Sequence, residues 1–267
     1  SLLSIATTGE LEVDYHKYGS EYTGEQSTPG YYTNTLTRYG IRTEVSATER
    51  TSIERYTFRA GQANILINLG EGLTNESGAT VRKVSDTEIE GSKLLGTFCY
   101  NSQAVFPIYF VMRVNKAPSS CGYWKKQRPM TAEAAWDPDQ GKYKLSTRYA
   151  REISGDDIGF WFTYDNVDEN EQIMVQVGVS FVSCENARMN LEAEQTGFNF
   201  DKVRANAVAR WNSDLSRIKV EGSSLRQKEV FYTAMYHALI HPNILNDVNG
   251  EFPVMEFSGD GKTLSNT

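Results

Sequence analysis

The pattern of apolar and polar positions changes character once along the chain, near Val182. Before it, short runs rich in Val, Ile, Tyr, Phe and Thr are separated by turn residues, the signature of β-strands. Residues 11–16 (LEVDYH) alternate apolar and polar side chains and predict a half-buried strand. The segment GYYTNTLTRYGIRTEVSATER holds two strand-like runs joined at Arg38-Tyr39-Gly40, where Gly40 can supply the positive φ of a hairpin turn. Further strands are predicted over 53–58, 64–69, 87–91, 96–100, 105–114, 158–164 and 173–182. Pro107 cannot donate to a ladder, which puts the start of its strand at an edge or a bulge. Between Lys116 and Tyr143 the pattern breaks into a long stretch rich in Pro, Gly and charge that carries Trp124 and Trp136. A loop tryptophan there could stack on a sugar face, or simply pin the loop to a sheet, the commoner arrangement. Short strands closely spaced by turns, with no helical pattern between them, predict a mainly β fold: a large antiparallel two-sheet sandwich.

After Val182 the apolar positions fall at helical spacing. A first helix is predicted over about 184–195, with Ser183 as its cap and Gly197 as its stop. A second, from about Asn199 to Gly222, carries Val203, Ala207, Trp211, Leu215 and Ile218 as an apolar stripe. The third opens with the capping-box pattern Ser224-Leu-Arg-Gln227 and runs to about Ile240, before Pro242. Its apolar residues, from Val230, Phe231 and Tyr232 to Leu239 and Ile240, wrap most of the circumference, as in a helix inside a larger body. Burying side chains of this size is worth about 1.5–3 kcal/mol each. Leaving several uncovered would forfeit a sum comparable with the ~5–15 kcal/mol stability of a whole domain. The expectation is that further polypeptide covers this helix and that the chain is a piece of something larger.

Composition narrows the function classes. At 267 residues, 39% hydrophobic and 23% charged, the chain is an ordinary folded one. Its 34 acidic and 27 basic residues give a net charge of −7 with no basic run, which argues against nucleic acid as a partner. No apolar run approaches the roughly 20 residues needed to span a bilayer. The 15 Tyr and 12 Phe accompany both sheets and sugar-binding surfaces, and sheets alone account for them. Cys99, Cys121 and Cys184 are neither a disulfide framework nor a zinc spacing. The first residue is Ser1, and SLLSIATTG lacks the basic start and long apolar core of a signal peptide, so any export signal would lie upstream.

Candidate chemistry is sparse. His237 and His241 stand at i and i+4, the spacing of two zinc ligands, but no third ligand accompanies them and packing is the better account. In NDVNGE, setting Gly250 at the sixth place of a calcium loop puts Asp247, Asn249 and Glu256 at the third, fifth and twelfth. Leu245 then falls at the first place, where it cannot bind a cation, and the motif fails. The polar loop can still face a ligand. GEGLTNESG (70–78) is glycine-rich but precedes no helix that could hold a phosphate and reads as a turn. Glu49-Arg50 and Glu54-Arg55 read as solvated or cross-strand charge pairs, and Gly155-Asp156-Asp157 as a turn. No serine, cysteine or histidine constellation suggests a nucleophile.

Three stretches, RYGIRTEVSATERTSIERYTF (38–58), VSCENARMNLEAE (182–194) and VFYTAMYHALIHPNILNDVNGEF (230–252), resemble glycoside hydrolase family 92, the calcium-dependent α-mannosidases, in sequence and in order. The resemblance covers essentially the whole chain. It implies a sandwich over 1–183 lacking its N-terminal part, linker helices over 184–222, and the start of an (α/α)6 catalytic barrel over 223–267. The all-round apolar helix is then the first helix of that barrel.

The implied activity is exo-acting hydrolysis of α-mannosides, α-1,2-linked, with inversion and with calcium in the full-length enzyme. The implied partners are mannose-containing glycans and the chain's own catalytic domain, and the implied location is outside the cytoplasm. The family's glycine-rich opening segment, its Trp-Asp-Thr stretch, the catalytic acid and base and most of the metal site fall outside this sequence. The chain alone is therefore expected to be inactive, with no catalytic residue, no metal ligand and no tightly bound calcium. Asp247 and Glu251 are the candidates for lying near substrate. Two rival readings are a disaccharide phosphorylase of similar architecture and a non-catalytic carbohydrate-binding module centred on the Trp124 stretch.

Overall fold

The computed structural model describes residues 2, 4–71, 76–96, 105–127, 142–147, 151–222, 224–253, 256–257 and 264–265. In chain order the elements are β1 (Ser4–Thr8), the one-turn helix α1 (Tyr15–Tyr18), β2 (Tyr22–Thr28), β3 (Tyr31–Leu36), β4 (Ile41–Ala47), β5 (Thr51–Thr57), β6 (Gly61–Asn68) and β7 (Glu76–Lys83). There follow β8 (Glu88–Gly96), β9 (Val105–Val114), β10 (Ser120–Gln127), β11 (Lys142–Ser146), β12 (Glu152–Gly155), β13 (Ile158–Val167) and β14 (Gln172–Ser180). The helices α2 (Cys184–Glu194), α3 (Phe200–Leu215) and α4 (Leu225–Ala238) come next, then a two-residue strand pair, β15 (Glu256–Phe257) and β16 (Leu264–Ser265).

The strands form two stacked antiparallel sheets. One has the order β1-β6-β13-β10-β11, the other β12-β7-β8-β9-β14-β5-β4-β3-β2. Alternation sends Ile65 and Ile67 of β6, and Phe160 and Phe162 of β13, inward against Tyr56, Phe58, Phe110, Met112, Ile173 and Val175 of the larger sheet. The rings of Phe160 and Phe162 meet edge-on at 4.9 Å. The predicted hairpin is β3–β4, with Gly40 at φ 64° and its N–H donating to the Leu36 carbonyl at 2.8 Å. At the start of β9, Pro107 pairs with Leu94 of β8, whereas β14 stops at Ser180 opposite Tyr109. The side of β9 toward β14 is therefore open at the proline, as its missing donor requires.

Four expectations need correction. Residues 11–16 are not a strand. Asp14 caps α1, accepting from the His16 N–H at 3.2 Å, while Leu11, Val13 and Tyr18 pack on the outer face of the smaller sheet around Leu66, Trp124 and Trp161. The apolar alternation was real, but a covering segment satisfies it without a ladder. The strand expected over 87–91 runs on to Gly96 as β8, and the strand expected over 96–100 lies, beyond Gly96, outside the described residues. The stretch read as a long loop contains β10 and the start of β11, paired in register from Tyr123↔Ser146 to Gln127↔Lys142, while residues 128–141 lie outside the described residues. Trp136 lies outside the described residues. Last, the second helix stops at Leu215, short of Gly222, and leaves Ile218 exposed beyond it.

All three long helices are capped, the first and third by the residues expected and the second by the asparagine at its expected start. Ser183 accepts from Asn186 N–H, Asn199 from Lys202 N–H, and Ser224 and Gln227 form a reciprocal capping box. α2 lies flat on the outer face of the nine-stranded sheet, with Ala187 and Leu191 against Val111. Gly178 permits this close approach, since a Cβ there would run into the Ala187 carbonyl. α3 sets Phe200 and Val203 on Tyr31 and Ile53. α4 buries none of its residues. It touches α3 through the Trp211 and Tyr236 rings, 4.7 Å apart, and the Tyr232 hydroxyl donates to the Ile218 carbonyl just beyond α3 at 3.0 Å.

Candidate functional site

Beyond α4 the chain returns to the sandwich, and the return rests on one carboxylate. Asp247 is only 2% exposed. Its Oδ2 accepts from the Ser180 hydroxyl at 2.7 Å and from Asn186 Nδ2 at 2.8 Å, and its Oδ1 accepts from Asn190 Nδ2 at 2.6 Å. A buried carboxylate without a cation is costly, and three charge-assisted hydrogen bonds offset that cost. The backbone closes the same turn: Asp247 N–H donates to the Glu251 carbonyl at 2.8 Å, and Gly250 N–H, at φ 87°, to the Asp247 carbonyl at 2.9 Å. Val248 N–H donates to Asn190 Oδ1 at 2.9 Å.

Glu251 is tied to the same helix. Its Oε2 accepts the second N–H of Asn186 at 2.7 Å. Asn186 therefore divides one amide between two carboxylates. Its hydrogen bond, followed by one from Asn249, holds the Glu251 pKa below the usual carboxylate range. Unlike Asp247, Glu251 is exposed. A neighbouring clasp completes the dock: Arg50 donates to the Asn246 carbonyl at 2.6 Å and pairs with Glu194 of α2 at 2.7 Å. Asp247 and Glu251 thus stand side by side, the first an anchor with both oxygens engaged, the second a surface carboxylate. Ser180, Asn186 and Asn190 were not singled out from sequence. Two asparagines one helical turn apart on a helix otherwise docked by Ala187 and Leu191 were the available signal.

The other sequence candidates separate. His237 and His241 are exposed, and among the described residues no three His, Cys, Asp or Glu side chains are grouped to hold a metal ion. The side chain of Glu256 lies outside the described residues, as do residues 72–75 of the glycine-rich segment. Asp156 accepts from the Gly78 N–H of β7 at 2.9 Å. Trp124 is 1% exposed within β10, which removes the surface ring on which the binding-module reading rested. Arg50 makes its expected pair with Glu49 at 3.3 Å and adds Glu194. Of Glu54 and Arg55, only the arginine joins a cross-strand charge pair, with Glu44 opposite it on β4. Arg55 turns outward to Glu44 at 2.7 Å and Asp201 at 3.1 Å, while Glu54 faces the sandwich interior and is fully buried.

A nine-stranded sheet stacked on a five-stranded one, with capped helices appended, defines a mainly β sandwich protein continuing into a helical region. The family model described as Glycosyl hydrolase family 92 N-terminal domain matches residues 2–180, and the family's catalytic domain model matches residues 186–265. The chain belongs to glycosyl hydrolase family 92. Among solved structures, a family GH92 α-mannosidase from Bacteroides thetaiotaomicron is similar over 100% of this chain and 34% of its own, with TM-score 0.80 and 25% identity. A family GH92 inverting mannosidase from the same organism shares the fold at TM-score 0.76 and 18% identity, covering 96% of this chain and 32% of its own. An uncharacterized secreted glycosidase of Arthroderma benhamiae is 30% identical over 89 residues, 32% of this chain and 11% of that protein. The chain therefore spans about a third of the length of the solved relatives and about a tenth of the secreted one. No described helix is long and apolar enough to cross a membrane.

Proposed function

We propose that this chain is the sandwich-and-linker portion of an exo-acting, inverting α-mannosidase acting on α-1,2-linked mannose of glycans, and that it is inactive alone. Residues 1–183 form the sandwich, 184–222 the linker helices and 223–267 the opening of an (α/α)6 catalytic domain. The observation that carries this reading is the catalytic-domain match over residues 186–265. It falls where α4 has no buried residue although its sequence is apolar nearly all round. An exported location is supported by the secreted relative. Hydrolysis, and not phosphorolysis, follows from the family.

Inversion needs two carboxyl groups about 6.5–9.5 Å apart, an acid for the leaving oxygen and a base for water. We assign neither to this chain. Calcium, implied by the resemblance, does not fit the described residues: the Asp247 oxygens are committed to Ser180, Asn186 and Asn190, and among the described residues no third acid joins it and Glu251. No step is routed through it. Asp247 and Glu251 lie near substrate in this reading, Glu251 as the group facing it and Asp247 as the anchor of the loop. The test is mannose release from α-1,2-mannobiose by the 267-residue chain and by the longer polypeptide. Only the longer form should act, without consuming phosphate, and NMR should show β-mannose formed first. Turnover by the short chain, or α-mannose as first product, would overturn the reading.

A further inference from the structure

Among the described residues β1 is the edge strand of the smaller sheet, paired on one side with β6. Facing it from the larger sheet, Glu54 of β5 is fully buried and Tyr56 nearly so. Four oxygens of β1 and β5 meet there. The Ser4 hydroxyl is hydrogen-bonded to Glu54 Oε2 and stands 3.0 Å from the Tyr56 hydroxyl. The Tyr56 hydroxyl in turn lies 2.8 Å from Glu54 Oε2 and 2.8 Å from the Ser4 carbonyl. Glu54 Oε1 has no partner.

No cation compensates this carboxyl. In the ladder Glu54 stands between Val45 of β4 and Val175 of β14, while β1 brings Ser4 and β6 brings Ile67 opposite it. Tyr56 is the titratable group in contact with it. Tyr32 of β3, in the same row beyond Val45, donates its hydroxyl to Glu25. Among the described residues no Lys, Arg or His pairs with Glu54. An ionised carboxylate here would keep charge on an oxygen with neither water nor a donor, which is costly. It would also leave the single Tyr56 proton to serve both Glu54 and the Ser4 carbonyl. The neutral acid fits the same atom positions without either conflict. Glu54 Oε2–H donates to Ser4 Oγ, Ser4 Oγ–H to the Tyr56 hydroxyl, and the Tyr56 O–H to the Ser4 carbonyl. Every hydroxyl proton then has an acceptor, and the oxygen left over carries no formal charge.

We propose that Glu54 is held as the neutral acid and latches β1 onto β5, so that loss of its proton loosens the edge strand. Burial pushes the Glu54 carboxyl up to about 7, with the Ser4 and Tyr56 hydrogen bonds acting in the other direction. Burial also raises Tyr56 well above its ordinary value, so the tyrosine keeps its proton throughout. The folded chain therefore holds the Glu54 proton more tightly than the opened one, whose value lies near 4.5. The latch acts in full below that value, weakens as pH rises and is lost above about 7. Between pH 5 and pH 8 these two values lower the ratio of closed to open β1 by about 70-fold.

The test is carbon-13 NMR of the Glu54 side-chain carboxyl in the 267-residue chain, together with amide exchange in β1, from pH 5 to pH 8. The carboxyl should titrate near pH 7 and not near the ordinary glutamate value. Protection of the β1 amides bonded to β6, corrected for intrinsic exchange, should fall about 70-fold over that range. Glu54→Gln keeps a neutral carbonyl and a donor but has no proton to lose, so β1 should stay protected and this pH dependence should vanish. Tyr56→Phe removes the middle of the chain of hydroxyls and should lower β1 protection already at pH 5. Melting curves establish that the variants are folded; if Glu54→Gln is not, the carboxyl titration and β1 exchange of the unaltered chain decide. A carboxyl midpoint below about 5, a midpoint near 7 with β1 protection unchanged, or the full pH dependence persisting in folded Glu54→Gln would each overturn the proposal.

Discussion

Helices α2 and α4 are each capped by a serine and of similar length, yet they have opposite fates. α2, CENARMNLEAE, has few large apolar residues and is docked: Ala187 and Leu191 are fully buried and Asn186 and Asn190 nearly so. α4, LRQKEVFYTAMYHA, carries Val230, Phe231, Tyr232, Met235 and Tyr236 and buries nothing; Val230 is 64% exposed. The difference is not one of propensity or capping. α2 meets a complementary surface, with Gly178 beneath it and Glu88 and Glu90 placed for Arg188 at 2.7 and 2.6 Å. α4 meets only part of α3. Apolar content states a demand for cover, and burial depends on whether cover is present.

The sharpest way to break this comparison is to truncate one residue in each helix. Leu191→Ala should cost about 2–5 kcal/mol of unfolding free energy, and Val230→Ala less than about 0.5 kcal/mol, both by denaturant titration of this chain. Similar costs would mean that α4 is packed in solution. Next in size is Asn190→Ala, which removes the donor to Asp247 Oδ1 and to the Val179 carbonyl and the acceptor for Val248 N–H. Its expected cost is about 1–3 kcal/mol, seen as faster amide exchange over 247–251 with α4 unchanged.

The smallest effect is electrostatic. Burial alone would raise Glu88 and Glu90, but hydrogen bonds from Arg188, Arg113 and Arg82 hold both below the ordinary carboxylate value. Folded pKa values depressed below the unfolded ones give stabilisation that is present above the unfolded value near 4.5 and lost as pH falls through the folded ones. Because Arg188 is partly exposed, about 1 kcal/mol is a fair expectation. Acidification from pH 5 to pH 3 should therefore loosen amide protection in α2 more than in α4, where no described ion pair reaches the sandwich. Equal loosening would show that Arg188 does not hold α2.

Much of the fold was legible because strand periodicity and caps are local. Gly40 needed only its own φ, and Ser183, Asn199 and Ser224 needed only the next three residues. The misreadings arose where a distant surface decided the outcome. Leu11 and Val13 found the outer face of β6 and β13, so an alternating segment became a cover and not a strand. Trp124 belonged to a strand whose partner, β11, lies beyond a long insertion that reads as loop.

The candidate site divides in the same way. That 246–251 is a polar loop near a helix end was readable from its residues, and so was the apolar demand of the helix before it. That Asp247 is a buried anchor while Glu251 is an exposed carboxylate was not, because the donors Ser180, Asn186 and Asn190 stand 57 to 67 positions away. Likewise Glu54 and Arg55 are adjacent in sequence, but the pleat sends one to the sandwich interior and the other to an arginine–glutamate network. The sequence determined which residues wanted a strand, a cap or a cover. The tertiary structure decided which charges lost their water, since desolvation depends on neighbours that sequence spacing does not reveal.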